Sequence, residues 1–315
     1  MIMAFCIGVD IGGTTVKLGI FEEEGTNIEK WEIPTFTENE GVRILPDIAE
    51  AIKTKMVQLE LKKEDCIGIG VGVPAPVTKE GIVNGTANLG WKYKEVKKEL
   101  EELTGITSVI GNDANVAALG EMWQGGGKGK QDLVMVTLGT GVGTGFIVGG
   151  RLIVGSHGAG GEGGHIRVNY EETESCGCGN KGCLEQYASA TGIVRLAKKK
   201  LAQETRNTLL TKEEISAKSV FDVVKAKDDV AMEIAEEFGT YLAYGLSNMA
   251  ALSDPSIFVI GGGVSKAGSI LIDYVEKKYR EVAFFANRDV EFALASLGND
   301  AGIIGAAKLA LDAVK

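Results

Sequence analysis

The sequence predicts an α/β protein of two similar domains, and three observations support this fold class. The 315 residues are enough for two domains of ordinary size, each with its own hydrophobic core. Apolar, strand-like runs alternate with segments of helical periodicity. A unit of strand, glycine-rich turn and strand occurs twice, at the start of the chain and near its middle. Such a repeat suggests two related domains that face one another across a cleft.

The first copy of this unit is a predicted hairpin. The runs Met3 to Val9 and Val16 to Phe21 are rich in β-branched and apolar residues, and Asp10–Thr15 joins them through two glycines. A helix is predicted at Val42 to Leu61, where apolar residues recur every three or four positions. The apolar run Cys66 to Val73 does not alternate, which favours a strand covered on both faces.

The second copy consists of the strand Leu133 to Leu138, the turn Gly139 to Gly145 and the strand Phe146 to Val148. A long helix from about Asp229 to Leu252 then leads through Asp-Pro into a strand at 257–260. The alanine-rich segment 301–314 predicts a helix that packs on the first domain. We therefore expect a first domain of residues 1–116 and 301–315 and a second of residues 117–300.

The composition excludes several classes of protein. The formal net charge is −10, which argues against a nucleic-acid-binding surface. The N-terminal residues lack the basic region of a signal peptide, and no apolar run reaches the ~20 residues that span a bilayer, so we expect a cytoplasmic protein without membrane contact. Five cysteines in a reducing compartment do not predict a disulfide framework.

The two glycine-rich turns are candidate phosphate-binding sites. Backbone N–H groups and hydroxyls at such a turn can surround phosphate oxygens, and glycine allows close approach. Asp10 ends the first strand, where a carboxylate beside phosphates is favourable only through Mg²⁺ or its waters. A single turn of this kind can equally be structural, whereas two with similar flanking strands favour phosphate. The candidate residues are Gly12, Gly13, Thr14, Thr15, Gly139, Thr140, Gly141 and Gly143.

Other glycine-rich motifs do not fit their usual contexts. The run Gly139 to Gly145 leads into a strand, whereas a dinucleotide fingerprint must open a helix. The segment Gly125–Lys130 is followed by Gln131, where a Walker A loop requires Ser or Thr, and we interpret it as a flexible surface loop. Gly261–Gly263 follows a strand without the third fingerprint glycine, although it could pack under a nucleotide base.

A group of three cysteines predicts a metal site. Cys176, Cys178 and Cys183 lie within eight residues, and His165 precedes them. One imidazole and three thiolates supply the four ligands of a closed tetrahedral zinc site, which would be structural because no position is open. The alternative is a set of free thiols in a flexible loop.

Three carboxylates near these motifs can act on a hydroxylated ligand. The zinc loop would hold Glu185 close to Glu162 and His165, and together they could hydrogen-bond the hydroxyls of a sugar. Asp113 ends the apolar run 109–110 and enters a helix, where it could accept a hydroxyl proton during phosphoryl transfer. In isolation, an aspartate at this position is more often a helix N-cap.

These segments resemble the repressor, open reading frame and kinase (ROK) family, and most of all its bacterial-type glucokinases. The segment Gly8–Lys17 resembles the first phosphate motif, Leu138–Gly145 the second, and Ile260–Val264 the adenosine motif. The box Glu162–His165 and the box Cys176–Glu185 are similar to the zinc and sugar segments. The resemblance covers almost the whole chain.

The resemblance implies a two-domain actin-like ATPase (ribonuclease H-like) fold with an inter-domain cleft, and a homodimer. It also implies ATP-dependent phosphorylation of D-glucose at the 6-hydroxyl, with Mg²⁺, a structural Zn²⁺ and Asp113 as the general base. Asn88 and Asn112 would join Glu162, His165 and Glu185 in binding the sugar. Lys17 would belong to the first phosphate site, and Gly261, Gly262 and Gly263 to the adenosine site.

Two alternatives remain open at the level of sequence. One is a kinase of the same family for another hexose, such as N-acetylmannosamine or fructose. The other is a sugar-sensing regulator without turnover, which the intact phosphate motifs and candidate base disfavour.

Overall fold

The computed structural model describes residues 4–211 and 215–314, which form two compact units. Unit 1 comprises the residues up to Gly129, Leu152–Gly161 and the residues from Leu297 on, and unit 2 comprises Lys130–Arg151 and Glu162–Ser296. The predicted domains, residues 1–116 with 301–315 and residues 117–300, stay a prediction, because contacts do not test which segments fold as a domain. Residues 1–3 and 315 of those limits lie outside the described ranges, as does Met3 of the first predicted strand.

The elements follow one another as strands and helices in both units. The strands are β1 (Phe5–Ile11), β2 (Thr15–Glu22), β3 (Asn27–Pro34), β4 (Cys66–Val73), β5 (Ile82–Val83), β6 (Lys94–Glu95), β7 (Ser108–Asn112), β8 (Leu133–Leu138), β9 (Val142–Val148), β10 (Arg151–Leu152), β11 (Ile257–Gly261) and β12 (Glu291–Leu294). The helices are α1 (Glu38–Gly41), α2 (Ile44–Gln58), α3 (Val96–Thr104), α4 (Asp113–Gln124), α5 (Glu185–Ala188), α6 (Ala190–Gln203), α7 (Ala217–Lys225), α8 (Asp229–Ser253), α9 (Ser269–Val282) and α10 (Ala301–Asp312).

The two main sheets have the same topology. Their strand orders are β3-β2-β1-β4-β7 and β10-β9-β8-β11-β12. In each sheet an antiparallel hairpin, β1 with β2 or β8 with β9, stands next to two strands that run parallel to the first strand of that hairpin. The internal repeat inferred from the sequence is therefore present as two sheets of equal strand order.

The sheet of unit 1 is covered on both faces. Side chains of β1 and β4 such as Val9 and Val71 pack with α2 and α3 in one buried cluster. On the other face, Cys6 and Phe21 pack with Ile303 and other residues of α10. Both the non-alternating strand Cys66–Val73 and the packing of the C-terminal helix on the first unit agree with the prediction.

Unit 2 has a separate core. Four helices, α6 to α9, contribute to one buried cluster with strands β8 and β11. The long helix α8 begins after Asp228, whose carboxylate accepts a hydrogen bond from the N–H of Ala231. It ends at Asp254, which has a left-handed conformation (φ 44°) directly before Pro255. A proline at this position prevents continuation of the helix.

The predicted turn of the second hairpin was too long. Strand β9 already begins at Val142, paired with Leu138, so only residues 139–141 form the connection. The glycines at 143 and 145 were interpreted as turn residues, but they lie in a strand that the antiparallel ladder stabilises. Local composition cannot reveal a pairing partner, which explains this error.

Candidate active site

The turn of residues 12–14, which we call the first phosphate turn after its predicted role, lies between β1 and β2 and is closed by backbone hydrogen bonds. The N–H of Gly12 donates to the carbonyl of Thr15 at 3.0 Å. Thr35, after β3, donates its hydroxyl to the carbonyl of Gly12 at 2.7 Å and its N–H to the carbonyl of Thr14 at 3.0 Å. Lys17, predicted to bind phosphate, donates one hydrogen bond to the carbonyl of Asn299 at 3.1 Å.

Asp10 and Asp113 are electrostatically coupled within unit 1. Asp10 stands opposite Lys17 in the hairpin, and Asp113 is the first residue of α4. Burial, and then repulsion by Asp113, raise the pKa of Asp10 to about 6, while Lys17 acts in the opposite direction. A carboxylate held in this state gains from a cation, since Mg²⁺ would relieve both the burial and the repulsion.

Asn112, not Asp113, is the N-cap of α4. Its Oδ1 accepts hydrogen bonds from the N–H groups of Ala114 and Asn115, at 3.1 and 3.2 Å. Its Nδ2 donates to the carbonyl of Ala75 at 3.3 Å. The capping role considered for Asp113 is thus filled by its neighbour. The Nδ2 atom of Asn112 has two N–H bonds, one of which donates to Ala75, so the other can bind a ligand.

Asn88 lies beside the first phosphate turn. A Cβ atom added to Gly13 would be 3.2 Å from the Cβ of Asn88, so a side chain at position 13 would crowd this asparagine. The side chain of Asn88 is exposed. In unit 1 this predicted sugar-binding residue therefore lies directly against a predicted phosphate turn.

The second phosphate turn is bound to the segment 185–191. The carbonyl of Gly139 accepts from the N–H of Ala190 at 2.8 Å, and the carbonyl of Thr140 accepts from the hydroxyl of Thr191 at 2.8 Å. A Cβ added to Gly141 would be 2.0 Å from Oε2 of Glu185. Position 141 therefore has to be glycine for this carboxylate to remain in place.

The predicted adenosine motif contacts Leu138, which directly precedes the same turn. Gly262 has φ 84°, and a Cβ there would be 2.5 Å from the carbonyl oxygen of Leu138, so both conformation and space require glycine. Gly261 ends β11, and a Cβ added to Gly263 would meet no atom within 4 Å. A cavity of about 600 Å³ adjoins Thr140. Its lining also includes Thr191, Arg195, Lys198, Ile215 and Ala217.

The cysteine and histidine side chains converge as predicted. The ligand atoms of His165, Cys176, Cys178 and Cys183 lie within 4.8 Å of one another. The Sγ atoms of Cys178 and Cys183 are 3.7 Å apart, and Nδ1 of His165 is 3.9 Å from Sγ of Cys176. Sulfur ligands ~2.3 Å from a tetrahedral zinc ion stand ~3.8 Å apart, so the cluster fits this metal. Burial raises the pKa of Cys183 to about 12, and a dication would offset this effect.

The predicted sugar-binding residues Glu162 and Glu185 each have a hydrogen bond to a residue of this cluster. Glu162 precedes the short turn that carries His165, and the N–H of Gly163 in that turn donates to the hydroxyl of Thr144 at 2.7 Å. Oε2 of Glu185 accepts from the N–H of Val142 at 3.0 Å, and Oε1 accepts from Sγ of Cys176 at 3.5 Å. Glu185 therefore links the metal cluster to the second phosphate turn.

A network that the sequence did not predict holds the chain before Cys176. Arg195 donates to Glu172 and Glu174 at 2.5 and 2.9 Å, and the hydroxyl of Tyr187 donates to Glu172 at 2.5 Å. Burial alone would raise the pKa of Glu172, but hydrogen bonds from Tyr187, the Glu174 backbone and Arg195 lower it to about 2. These partners are far apart in sequence, so no local pattern reveals them.

Comparison with known proteins identifies relatives along the whole chain. The profile of the ROK family matches residues 6–313. A glucokinase of Halalkalibacterium halodurans is 40% identical over 305 residues, which are 95% of this chain and 92% of that protein. The crystal structure of a ROK family glucokinase from Streptomyces griseus with glucose and AMPPNP is 34% identical, with a TM-score of 0.75, covering 97% of this chain and 99% of that one.

A ROK hexokinase from Thermus thermophilus is similar in structure as well. It is 28% identical, with a TM-score of 0.84, and the match covers 98% of this chain and 99% of that one. Together with the two sheets of equal strand order, this likeness confirms the predicted actin-like ATPase fold. No helix within the described ranges is both long and apolar enough to cross a membrane.

Proposed function

The chain belongs to the ROK family, and we propose that it is a glucokinase that transfers the γ-phosphoryl group of ATP to the 6-hydroxyl of D-glucose. The observation that carries this proposal is the likeness, along nearly the whole chain, to a kinase bound to glucose and an ATP analogue. The same likeness, together with that to the glucokinase of H. halodurans, supports a sugar kinase that uses ATP.

In this proposal the phosphates are bound by the two turns and by a magnesium ion beside Asp10. Backbone N–H groups of residues 13–14 and 140–141 would face the phosphate oxygens, since the N–H groups of Gly12 and Gly139 close their own turns. The cavity of about 600 Å³ beside Thr140 is large enough for a nucleoside. Asp10 would act on Mg²⁺ through its waters, and its raised pKa is consistent with a carboxylate that gains from the ion.

Asp113 would be the general base. As the 6-oxygen of the sugar attacks the γ-phosphorus, its proton passes to the Asp113 carboxylate, and the bond between the phosphorus and the bridging oxygen of ADP breaks. The position at the first turn of α4 is fixed by the Asn112 cap, so the carboxylate has a defined direction.

The sugar hydroxyls would be bound by Asn88, Asn112, Glu162, His165 and Glu185. His165 presents Nδ1 to the cysteine cluster, which leaves Nε2 for a hydroxyl. The four residues of the cluster would hold Zn²⁺, which stabilises the loop and orients the imidazole. Bound as a thiolate, Cys176 could no longer donate to Glu185, and Oε1 would become available to the sugar.

The test is the comparison of kcat/KM for several sugars with ATP and Mg²⁺, in an assay coupled to release of ADP. We expect glucose to be the best substrate, since one unsatisfied buried polar group costs roughly 1–3 kcal/mol and thus about one to two powers of ten. Mannose, fructose and N-acetylmannosamine are the comparison sugars, and NMR identifies the phosphorylated position.

The alternatives give different outcomes in this assay. A higher kcat/KM for N-acetylmannosamine or fructose would keep the kinase proposal and refute glucose as its substrate. Sugar binding without ADP release would indicate a regulator. We also propose a homodimer, which sedimentation analysis of the purified protein would test.

A further inference from the structure

A threonine outside the second phosphate hairpin holds one peptide plane of its turn. The hydroxyl of Thr191, at the second position of α6, lies 2.8 Å from the carbonyl oxygen of Thr140 and 2.9 Å from the hydroxyl of Ser189. The hydroxyl of Ser189 in turn lies 2.7 Å from the carbonyl of Glu185. Each hydroxyl has one proton and faces a carbonyl that only accepts, so Thr191 donates to Thr140 and Ser189 donates to Glu185.

This hydrogen bond determines the direction of a backbone N–H group that could donate to phosphate. In a trans peptide the C=O and the N–H of the next residue lie in one plane and point in opposite directions. Holding the carbonyl of Thr140 on the side of Thr191 therefore turns the N–H of Gly141 to the opposite side. The N–H of Ala190, which donates to the carbonyl of Gly139 at 2.8 Å, orients the N–H of Thr140 in the same way.

The first phosphate turn shows the same arrangement independently. The hydroxyl of Thr35 donates to the carbonyl of Gly12 at 2.7 Å, so the N–H of Gly13 points away from Thr35. Thr35 and Thr191 lie in different units and follow different elements. Both turns of the repeat thus have one carbonyl bound by a threonine hydroxyl from outside the hairpin.

We propose that Thr191 is a positioning residue for nucleotide binding, whose hydroxyl orients the N–H of Gly141 toward the phosphates of ATP. The inference rests on the proposed kinase function in so far as the ligand is a nucleotide. The same short segment also carries Glu185, which the proposed function assigns to the sugar. Without the hydroxyl, the peptide plane between Thr140 and Gly141 can rotate. The ligand then has to order the turn when it binds, which costs part of the binding free energy.

The test compares three variants of the whole protein by calorimetric titration with ADP and Mg²⁺. Thr191→Val removes the hydroxyl at nearly constant volume, and we expect about three- to tenfold weaker binding of the nucleotide. Thr191→Ser keeps a hydroxyl and should recover most of the affinity. Thr240→Val is the matched control, since Thr240 donates to the carbonyl of Glu236 within α8 at 2.8 Å, in the same unit.

Kinetics separate the proposed role from a general structural one. In Thr191→Val the KM for ATP should rise by a similar factor, while the KM for the best sugar in the panel changes less than twofold. An unchanged ADP affinity, equal loss in the serine variant, or equal loss in Thr240→Val would overturn the proposal. Titration with ADP needs no turnover, so a wrong substrate assignment leaves this result interpretable, and a wild-type protein that binds no nucleotide would refute both proposals.

Discussion

Asp10 and Asp113 in unit 1 have different electrostatic environments. The carboxyl of Asp10 is raised in pKa by burial and by Asp113, and it lies against the start of α10, where a Cβ added to Gly302 would be 2.4 Å from its Oδ2. Asp113 accepts the N–H of Ala114 at 2.8 Å within the first turn of α4. One carboxyl is thus placed where it needs a cation, and the other where a helix N-terminus favours its charge.

The role of Asp113 as the general base predicts a variant that binds sugar without turning it over. Asp113→Asn keeps the shape of the side chain but cannot take up the proton. We expect kcat to fall by about a hundred- to ten-thousandfold, with the dissociation constant for glucose changed less than threefold. Steady-state kinetics and calorimetry check this, and a variant with near-normal kcat would exclude Asp113 as the base.

Substitution of Asp10 should increase the stability of the protein and abolish its activity. An acid whose pKa is raised from 3.8 to about 6 by folding weakens the fold once it ionises, so the free energy of unfolding falls as the pH rises through this range. In the absence of Mg²⁺ and nucleotide at pH 7.5, Asp10→Asn should therefore be more stable by about 1–3 kcal/mol, although it should lose turnover.

Urea unfolding at pH 7.5 and pH 4 measures this effect. The difference between variant and wild type should shrink at the lower pH, where Asp10 is protonated in the folded protein. Asp289→Asn, at a fully exposed carboxylate, is the control and should change little at either pH. A wild-type protein as stable as Asp10→Asn at pH 7.5 would contradict the assignment.

At the scale of elements, the segment from the metal cluster to α6 combines several contacts. Arg195 and Tyr187 fix Glu172 before the cysteines, and Glu185 follows the last cysteine by two residues. Glu185 accepts from Val142 of the second hairpin at 3.0 Å. Glu185 is also the first residue of α5, so a change at the metal cluster should move the start of this helix and thereby affect ligand binding.

Removal of one proposed zinc ligand tests this connection. We expect one zinc ion per chain in the wild type, and Cys178→Ser should lose most of it, unfold at a lower temperature and bind glucose at least tenfold more weakly. The physical reason is that a structural zinc contributes folding free energy directly. Metal analysis, thermal unfolding and calorimetry are the measurements. Cys66→Ala, outside the cluster, should keep its zinc, and zinc-free wild-type protein would refute the site.

The sequence predicted these elements unequally well. Strands Cys66–Val73 and Leu133–Leu138 have the predicted limits, because an apolar run bounded by polar residues is a local property. The helix predicted at Val42–Leu61 extends only over Ile44–Gln58, since Glu60 adopts φ 55°. The cysteine cluster was visible from spacing alone. The contacts of Thr191 and Glu172 were not, because their partners are distant in sequence.

At the scale of the whole molecule, each unit has its own buried core, and α10 closely approaches both the sheet and α4 of unit 1. A Cβ added to Gly70 would be 1.7 Å from the carbonyl of Ala306, and one added to Gly305 would be 1.7 Å from the carbonyl of Val116. These two glycines allow close packing of backbone on backbone, whereas those of the two turns are candidates for phosphate binding. Composition cannot distinguish the two uses.

This packing predicts a destabilisation confined to one unit. Gly305→Ala forces α10 and α4 apart and should cost about 1–3 kcal/mol, as overpacked substitutions do. Hydrogen exchange should become faster in β1 and β4, while β8 and β11 keep their protection, because their cores are separate clusters. Lys308→Ala, on the same helix, is the control. Equal loss of protection in both sheets would show that the units unfold together.

Unit 1 consists of segments that are separated in sequence by unit 2, and this determines the order in which the two units can fold during translation. Its sheet is synthesised first, but the helix that covers Gly8 and Gly70 begins only at Ala301, after the whole of Lys130–Arg151 and Glu162–Ser296. At ordinary elongation rates this delay is on the order of ten seconds. During that time one face of β1 and β4 lacks its cover, and the last strand of unit 2, β12, is synthesised just before α10. The half of the protein that is translated first is therefore the half that matures last, and nascent chains stalled before Ala301 should be the form that chaperones hold.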